Sequence, residues 1–297
     1  MKKIILLLIL LCLSAGARAQ SYSFRVLANQ GSSKVKKSTG QEVALKTGAT
    51  LTQTDVLIVS DGSYIGLMHN TGKTIEVRKK GTYSVISLTK SMVGGNKTIS
   101  ERYTKFISDR MNEKEDGSYK TRMNATGAVS RALENGNIKL YVPDKVNVIN
   151  DYRAILKWDE YKPDSEYIVT VLDIFDNVIH EVHTFNTTMS IALGGNSTNI
   201  FLVQVEVVGE PTINSGKRVL QLVDPEASLM NEYNELTETV DENSAIGKLI
   251  FALFFEENDL YLDAITQYED LLTIEPDVKD YQELYRGFLI RSGYLTE

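Results

Sequence analysis

The stretch Gly66–Thr74, GLMHNTGKT, decides how the first part of the chain is read. It ends in Gly-Lys-Thr, as a phosphate-binding loop does, and so opens a choice between a nucleotide enzyme and a binding protein. Counting back from Gly72, the loop pattern puts its first glycine where Leu67 stands, and Gly66 lies one place too far. That spacing is a physical requirement. Successive backbone N–H groups must curl around the phosphates, with a helix beginning at once behind them. The residues from Thr74 onward are TIEVRKKGTYSVISL, in which Thr74, Ile75, Val77, Tyr83, Val85 and Ile86 are β-formers interrupted by Gly81. This reads as strand, and SYIGLMH before it alternates as a strand too. Asn70-Thr71-Gly72-Lys73 therefore takes the place of a hairpin turn, with Asn and Gly supplying the positive φ angles.

The N-terminus points the same way. MKKIILLLILLCLSAGARAQ has a basic start at Lys2 and Lys3, an apolar run from Ile4 to Leu13 and a small-residue end at Ala17-Arg18-Ala19. This is the form of a bacterial secretory signal peptide, residues 1–19, cut before Gln20. The run is too short for an ordinary membrane span, and Leu11 before Cys12 argues against a lipid anchor. No second segment is apolar enough to cross a bilayer, so the mature chain is expected in the periplasm or outside the cell, where ATP is scarce. Cys12 is the sole cysteine, which leaves the mature chain without disulfides, thiolate metal sites or a cysteine nucleophile. A chain of 297 residues is long enough for two or three domains, each with its own core.

Charge is unevenly spread. The formal net charge is -7, and loss of Lys2, Lys3 and Arg18 takes it to about -10. Residues 20–120 carry roughly seven net positives and residues 224–297 roughly fourteen net negatives. The two ends are either separately solvated surfaces, or surfaces that meet different partners or each other. An exported chain with this balance is a poor fit to nucleic-acid binding.

Beyond the signal the chain divides into four segments. Residues 20–90 are rich in Val, Ile, Thr, Tyr and Ser with turns at regular glycines, which indicates a compact all-β unit. LKTGATLTQTDVLIVSDGSYIGLMHNTGKTIEV is similar to the periplasmic FecR-type domain, through Leu45, Gly48-Ala49, Leu51, Val56, Ile58, Asp61-Gly62-Ser63, Ile65, Leu67 and Ile75. Ala49 stands where that family usually has an acidic residue. The best-known members pass a signal across the inner membrane to an anti-sigma segment, a segment and an anchor that this sequence does not show. Residues 91–137 form a mixed linker with a helical stripe at Ile99, Tyr103, Phe106, Ile107 and Met111.

Residues 138–223 hold seven strand-like runs, NIKLYVP, RAILKWDE, EYIVTVLDI, VIHEVHTF, TMSIAL, IFLVQVEVVG and KRVLQLV, with Trp158 on the second. They resemble an immunoglobulin-like or fibronectin type III-like β-sandwich. Residues 224–297 are helical. SAIGKLIFALFFEENDLYLDAITQYEDLLTIEPD resembles a tetratricopeptide repeat at Ala252, Phe255, Asn258-Asp259-Leu260, Ala264, Tyr268 and Pro276, with Lys248 in place of the usual tryptophan. EASLMNEYNELTETV and VKDYQELYRGFLIRSGY flank it as helices. The expected fold is thus multi-domain and mainly β, with a C-terminal helical hairpin bundle.

Motifs for chemistry fail on spacing. His69, His180 and His183 are the only histidines, and HEVH sets two of them three apart on a strand, so the rings point to opposite faces. Ser-x-x-Lys in SSKVK and Lys-Thr-Gly in LKTG lie too close for a penicillin-recognising enzyme. The carboxylates of Asp173, Asp176 and Glu181 read as turn and surface groups. The expectation is a non-enzymatic cell-envelope adaptor, without catalytic residues, cofactor or metal, acting in envelope signalling or assembly. The repeat resemblance implies a groove for a protein partner faced by Leu249, Leu253, Glu256 and Glu257. The alternative is a glycan or peptidoglycan binder that uses Tyr64, Tyr83, Lys79 and Lys80 or the sandwich.

Overall fold

A computed structural model describes residues 22–92, 110, 138–143, 153–194, 198–222 and 226–295. The helical stripe expected at 99–111 lies outside these residues apart from Arg110. The described residues form fifteen strands, paired antiparallel, and five helices.

The first eight strands are β1 Phe24–Gln30, β2 Lys34–Lys36, β3 Glu42–Ala44, β4 Thr50–Leu51, β5 Val56–Val59, β6 Tyr64–His69, β7 Thr74–Val77 and β8 Gly81–Ser84. They make two sheets of order β4-β1-β6-β7 and β3-β2-β5-β8, which share a core of Phe24, Val26, Val35, Leu51, Leu57 and Leu67 with its neighbours. The stretch GLMHNTGKT is the β6–β7 hairpin. Its register runs from Ile65 opposite Val77 to Met68 opposite Thr74, and the His69 N–H donates to the Lys73 carbonyl at 2.7 Å. Gly72 takes φ 84°, a conformation that would strain any side chain. Asn70 does not share it, and its amide instead donates to the Tyr22 carbonyl at 2.9 Å.

Val85 and Ile86, expected in a strand, begin helix α1 at Val85–Ser91. Ser84 explains the difference. Its hydroxyl accepts from the Ser87 N–H at 3.2 Å, and Val85 and Leu88, one helical turn apart, both bury.

The next seven strands are β9 Arg153–Lys157, β10 Tyr167–Leu172, β11 Val178–Thr184, β12 Thr188–Ala192, β13 Ile200–Val207, β14 Glu210–Asn214 and β15 Arg218–Gln221. One sheet runs β11-β10-β13 with β14 and β15 both on the far side of β13, and the other is β12-β9. Strand β13 alternates strictly, and Phe201, Val203 and Val205 meet Ala154, Leu156 and Ile191 of the facing sheet in one core. Trp158 sits there edge-on to Tyr167, centroids 5.7 Å apart. NIKLYVP contributes only a bridge, Leu140 to Trp158. The strand that sequence patterning misses is β14, EPTIN, whose Pro211 and polar residues hide it and which pairs at the sheet margin.

The C-terminal region is helical, as expected: α2 Ala227–Thr239, α3 Ala245–Glu257, α4 Tyr261–Ile274 and α5 Lys279–Arg291. Ser244 caps α3 by accepting from the Gly247 N–H at 2.9 Å. The α3–α4 turn closes with the Leu260 N–H on the Phe255 carbonyl at 2.9 Å, and Asp259 takes φ 59°. Helix α3 is apolar on every side and is buried from Leu249 to Phe255 without a break. Among the described residues no helix is long and apolar enough to cross a membrane.

The helical core does not stop at the helices. Leu27, Ala28, Tyr64 and Met68 of the first strands belong to it, as does Tyr141. Strand β6 is therefore buried on both faces, with Ile65 and Leu67 toward the β core and Tyr64 and Met68 toward the helices. Gly66 makes that contact close. A Cβ there would stand 3.1 Å from Ile246 Cδ1 and 3.3 Å from the Tyr281 hydroxyl. The glycine that is misplaced for a phosphate loop is a spacer that lets two helices approach the sheet.

Phe254 is fully buried in this core, whereas Phe175 is 78% exposed. Phe254→Ala should destabilise the fold by about 3–5 kcal/mol, and Phe175→Ala by less than about 0.5 kcal/mol, measured as shifts in the urea midpoint.

Candidate functional site

Two polar seams fasten the helices to the β units. At the first, the hydroxyls of Tyr64 and Tyr281 lie 2.8 Å apart, and Tyr64 also donates to Glu76 at 3.2 Å. The same Glu76 oxygen accepts the Ile246 N–H at 2.9 Å, so a carboxylate from β7 satisfies the first turn of α3. Arg78 pairs with Glu76 and Glu275 and lies over the Tyr64 ring at 4.9 Å. Asp280, in the first turn of α5, accepts from the Thr47 hydroxyl at 2.6 Å and from the Asn29 N–H at 3.4 Å. Burial above all, then the neighbouring Tyr281 and Glu76, pushes the Tyr64 phenol far above its ordinary value, and burial does the same to Tyr281.

The second seam joins α4 to strand β9. The Ile155 N–H donates to Thr266 Oγ1 at 2.9 Å, which uses a backbone donor on the strand's open edge. Arg153 pairs with Asp270, Lys157 with Glu269 at 2.8 Å, and Lys248 with Asp270 at 3.1 Å. Tyr141 stacks on Tyr294 at 5.6 Å, and the Lys139 ammonium donates to the Gly293 and Tyr294 carbonyls. Leu262 of α4 reaches into the core of the sandwiched sheets. The acidic end of the chain thus pairs with Arg78 of the first β unit and with Arg153 and Lys157 of the second.

The four residues expected on an open groove are not gathered on one. Leu249 and Leu253 are 0% exposed, because a helix apolar on every side offers no free face. Glu256, 8% exposed, takes a two-pronged contact from Arg291 at 2.8 and 3.0 Å and a third from Arg110 at 3.2 Å, and the Tyr268 hydroxyl donates to it at 3.5 Å. Glu257 alone of the four is exposed. Of the residues considered for glycan binding, Tyr64 is buried in the first seam, while Lys79 and Lys80 remain exposed and Tyr83 donates to the Lys79 carbonyl.

The exposed apolar surface lies elsewhere, on the β10–β11 hairpin. Asp173 Oδ1 accepts from the N–H groups of Phe175 and Asn177 at 2.8 and 2.9 Å, and Asp176 takes φ 66°. This tight turn holds Ile174 and Phe175 outward, 53% and 78% exposed. Its hydrogen bonds, chiefly that from the Asn177 amide, lower the Asp173 carboxyl below the usual range. Val178, Val182 and Phe185 on and just past β11 are also exposed, at 57%, 41% and 68%, but Val178 lies opposite Leu172 and Val182 opposite Val169, so the two point to different faces of the sheet. Strand β11 is the edge of its sheet. Sequence alternation gave no hint of this, since VIHEVHTF looks like any half-buried strand. His180 and His183 stand apart on it, and His183 binds Glu166 at 3.1 Å. Among the described residues no group of three or more His, Cys, Asp or Glu is placed to hold a metal ion.

No known protein family matches the chain, and no curated protein matches it in sequence.

Two outcomes test the seams. Glu256→Met leaves Arg291 and Arg110 without their carboxylate and should destabilise by about 3 kcal/mol, with Glu256→Met/Arg291→Met recovering part of the loss in the same unfolding assay. Raised phenol values mean that the Tyr64–Tyr281 contribution is complete below the ordinary value of 10.0 and is lost as pH rises beyond it. A melting series across that range should fall with pH, and Tyr64→Phe/Tyr281→Phe should make the fall shallower.

Proposed function

We infer that this chain is an exported, non-enzymatic adaptor of a bacterial cell envelope, built of a FecR-like β domain, an immunoglobulin-like sandwich and tetratricopeptide-like helices. The sequence supports export through its signal-like start. The helices bind β units on both sides through core and ion pairs, and in that role they are a brace rather than a groove. The observation that carries the reading is the apolar tip Ile174 and Phe175, held out by a tight turn on a braced frame. Large apolar side chains held outward side by side on a folded surface mark a protein-docking site. The tip, Ile174 and Phe175, is the natural anchor, since an exposed aromatic on a fixed turn loses little freedom on binding.

The test is crosslinking in the native envelope with mass spectrometry as the readout. Phe175→Asp should lose the crosslinks of the native chain to other proteins while its circular dichroism and melting stay unchanged. Full retention of those crosslinks, or crosslinks to wall material alone, would remove the docking role of the tip.

A further inference from the structure

We propose that strand β11 pairs antiparallel with β11 of a second copy, so that two chains join their sheets across a two-fold axis at Val182. Three observations lead there. The strand is seven residues long, Val178–Thr184, and forms the margin of its sheet. Apart from Glu181 and a bulge at its start, it lacks the usual protections of a free edge: no proline, no lysine, no covering element among the described residues, and five of its seven residues are exposed. Its one irregularity, the shift that makes Ile179 an extra residue between the Leu172–Val178 and Val171–His180 pairs, lies at its start, and the run from His180 to Thr184 is regular.

The sequence of the strand then selects the partner and the register. A two-fold axis through an antiparallel pair passes midway between two copies of the same residue, so only a few registers exist for VIHEVHT. Centred on Glu181, the two carboxylates face each other. Centred on His180 or on His183, the two imidazoles do. Centred on Val182, Val182 meets Val182, Glu181 meets His183 twice, and His180 meets Thr184 twice. This register alone sets a carboxylate against an imidazole, whose ring N–H can donate to it, and sets no two titratable groups of one kind against each other. It also brings Phe185, 68% exposed and one residue past the strand, opposite Ile179 of the second copy.

The existing sheet prepares these contacts. Val182 sits opposite Val169 on β10, which is fully buried, so Val182 lies on the core-side face while Glu181 and His183 share the outer one. Glu166 holds His183 through Nδ1 at 3.1 Å, so Nε2 is not engaged in that contact. An exposed edge offers backbone hydrogen bonds to any strand, but an unrelated peptide has no reason to carry the reversed His-Val-Glu pattern that this one requires. A second copy carries it by identity.

This proposal goes beyond the adaptor reading and stands apart from it, since it concerns the edge of β11 and not the tip. Its test uses the full mature chain in sedimentation velocity over a concentration series. The wild type should show a monomer–dimer equilibrium. Glu181→Arg, at an exposed position, places Arg opposite His183 and should raise the dimer Kd at least about tenfold with an unchanged melting curve. Glu166→Gln/Glu181→Arg/His183→Glu restores unlike pairs without setting two carboxylates side by side on one chain, and should return the Kd to within a few-fold of wild type. As a readout of register, Val182→Cys should give a disulfide-linked dimer under mild oxidation, whereas Glu181→Cys should not. A wild type that stays monomeric throughout, a dimer indifferent to Glu181→Arg, or a swap that fails to restore it overturns the proposal. Loss of the dimer in Glu181→Arg with envelope crosslinks intact, or the reverse in Phe175→Asp, separates this inference from the docking role of the tip.

Discussion

The close approach of α3 and α5 to strand β6 is the contact on which the arrangement depends. Helix α3 is apolar around its whole circumference and cannot be stable with any side open to water. One side is covered by α4, and another by the sheet face that carries Tyr64 and Met68. That cover exists because Gly66 removes a Cβ from the line of contact. The strand accepts burial on both faces, the helices acquire a floor, and the hydroxyl pair of Tyr64 and Tyr281 finds its place inside the seam. The ion pairs around it lie partly in water, and their contribution is to orient more than to hold.

Much of the architecture was legible in the sequence. The β6–β7 turn could be read from Asn70-Thr71-Gly72-Lys73, and α3 and α4 from an apolar run and the Asn258-Asp259-Leu260 break. Where local pattern failed, tertiary packing decided. Val85 and Ile86 are β-formers, yet the Ser84 cap and the burial of Val85 and Leu88 make that segment a helix. EPTIN has too little apolar character to announce a strand and pairs because β13 offers it a partner.

The candidate site was less legible, for a related reason. The repeat resemblance assigns Leu249 and Leu253 to a groove, but whether such a groove is open depends on what lies across it, and one chain's periodicity is silent on that. Patterning also places Val178 and Val182 with other strand residues, because exposure at a sheet margin is set by strand order and not by composition. The charge asymmetry was visible from the start. The partners of the acidic helices required the fold: Arg78 from the basic segment, but also Arg153 and Lys157, which lie outside it.

Glu76 has a consequence for how the molecule is made. The first turn of α3 has no acidic residue of its own and takes a carboxylate from a strand far upstream. Synthesis runs from the N-terminus, so β6 and β7 exist long before the helices that will lie on them. Until α3 and α5 are made, Leu27, Ala28, Tyr64 and Met68 lack the helical cover that later buries them. The young chain is therefore sticky on the face that later becomes its most protected interior. Its safe maturation depends on the last stretch of polypeptide arriving before another nascent chain does.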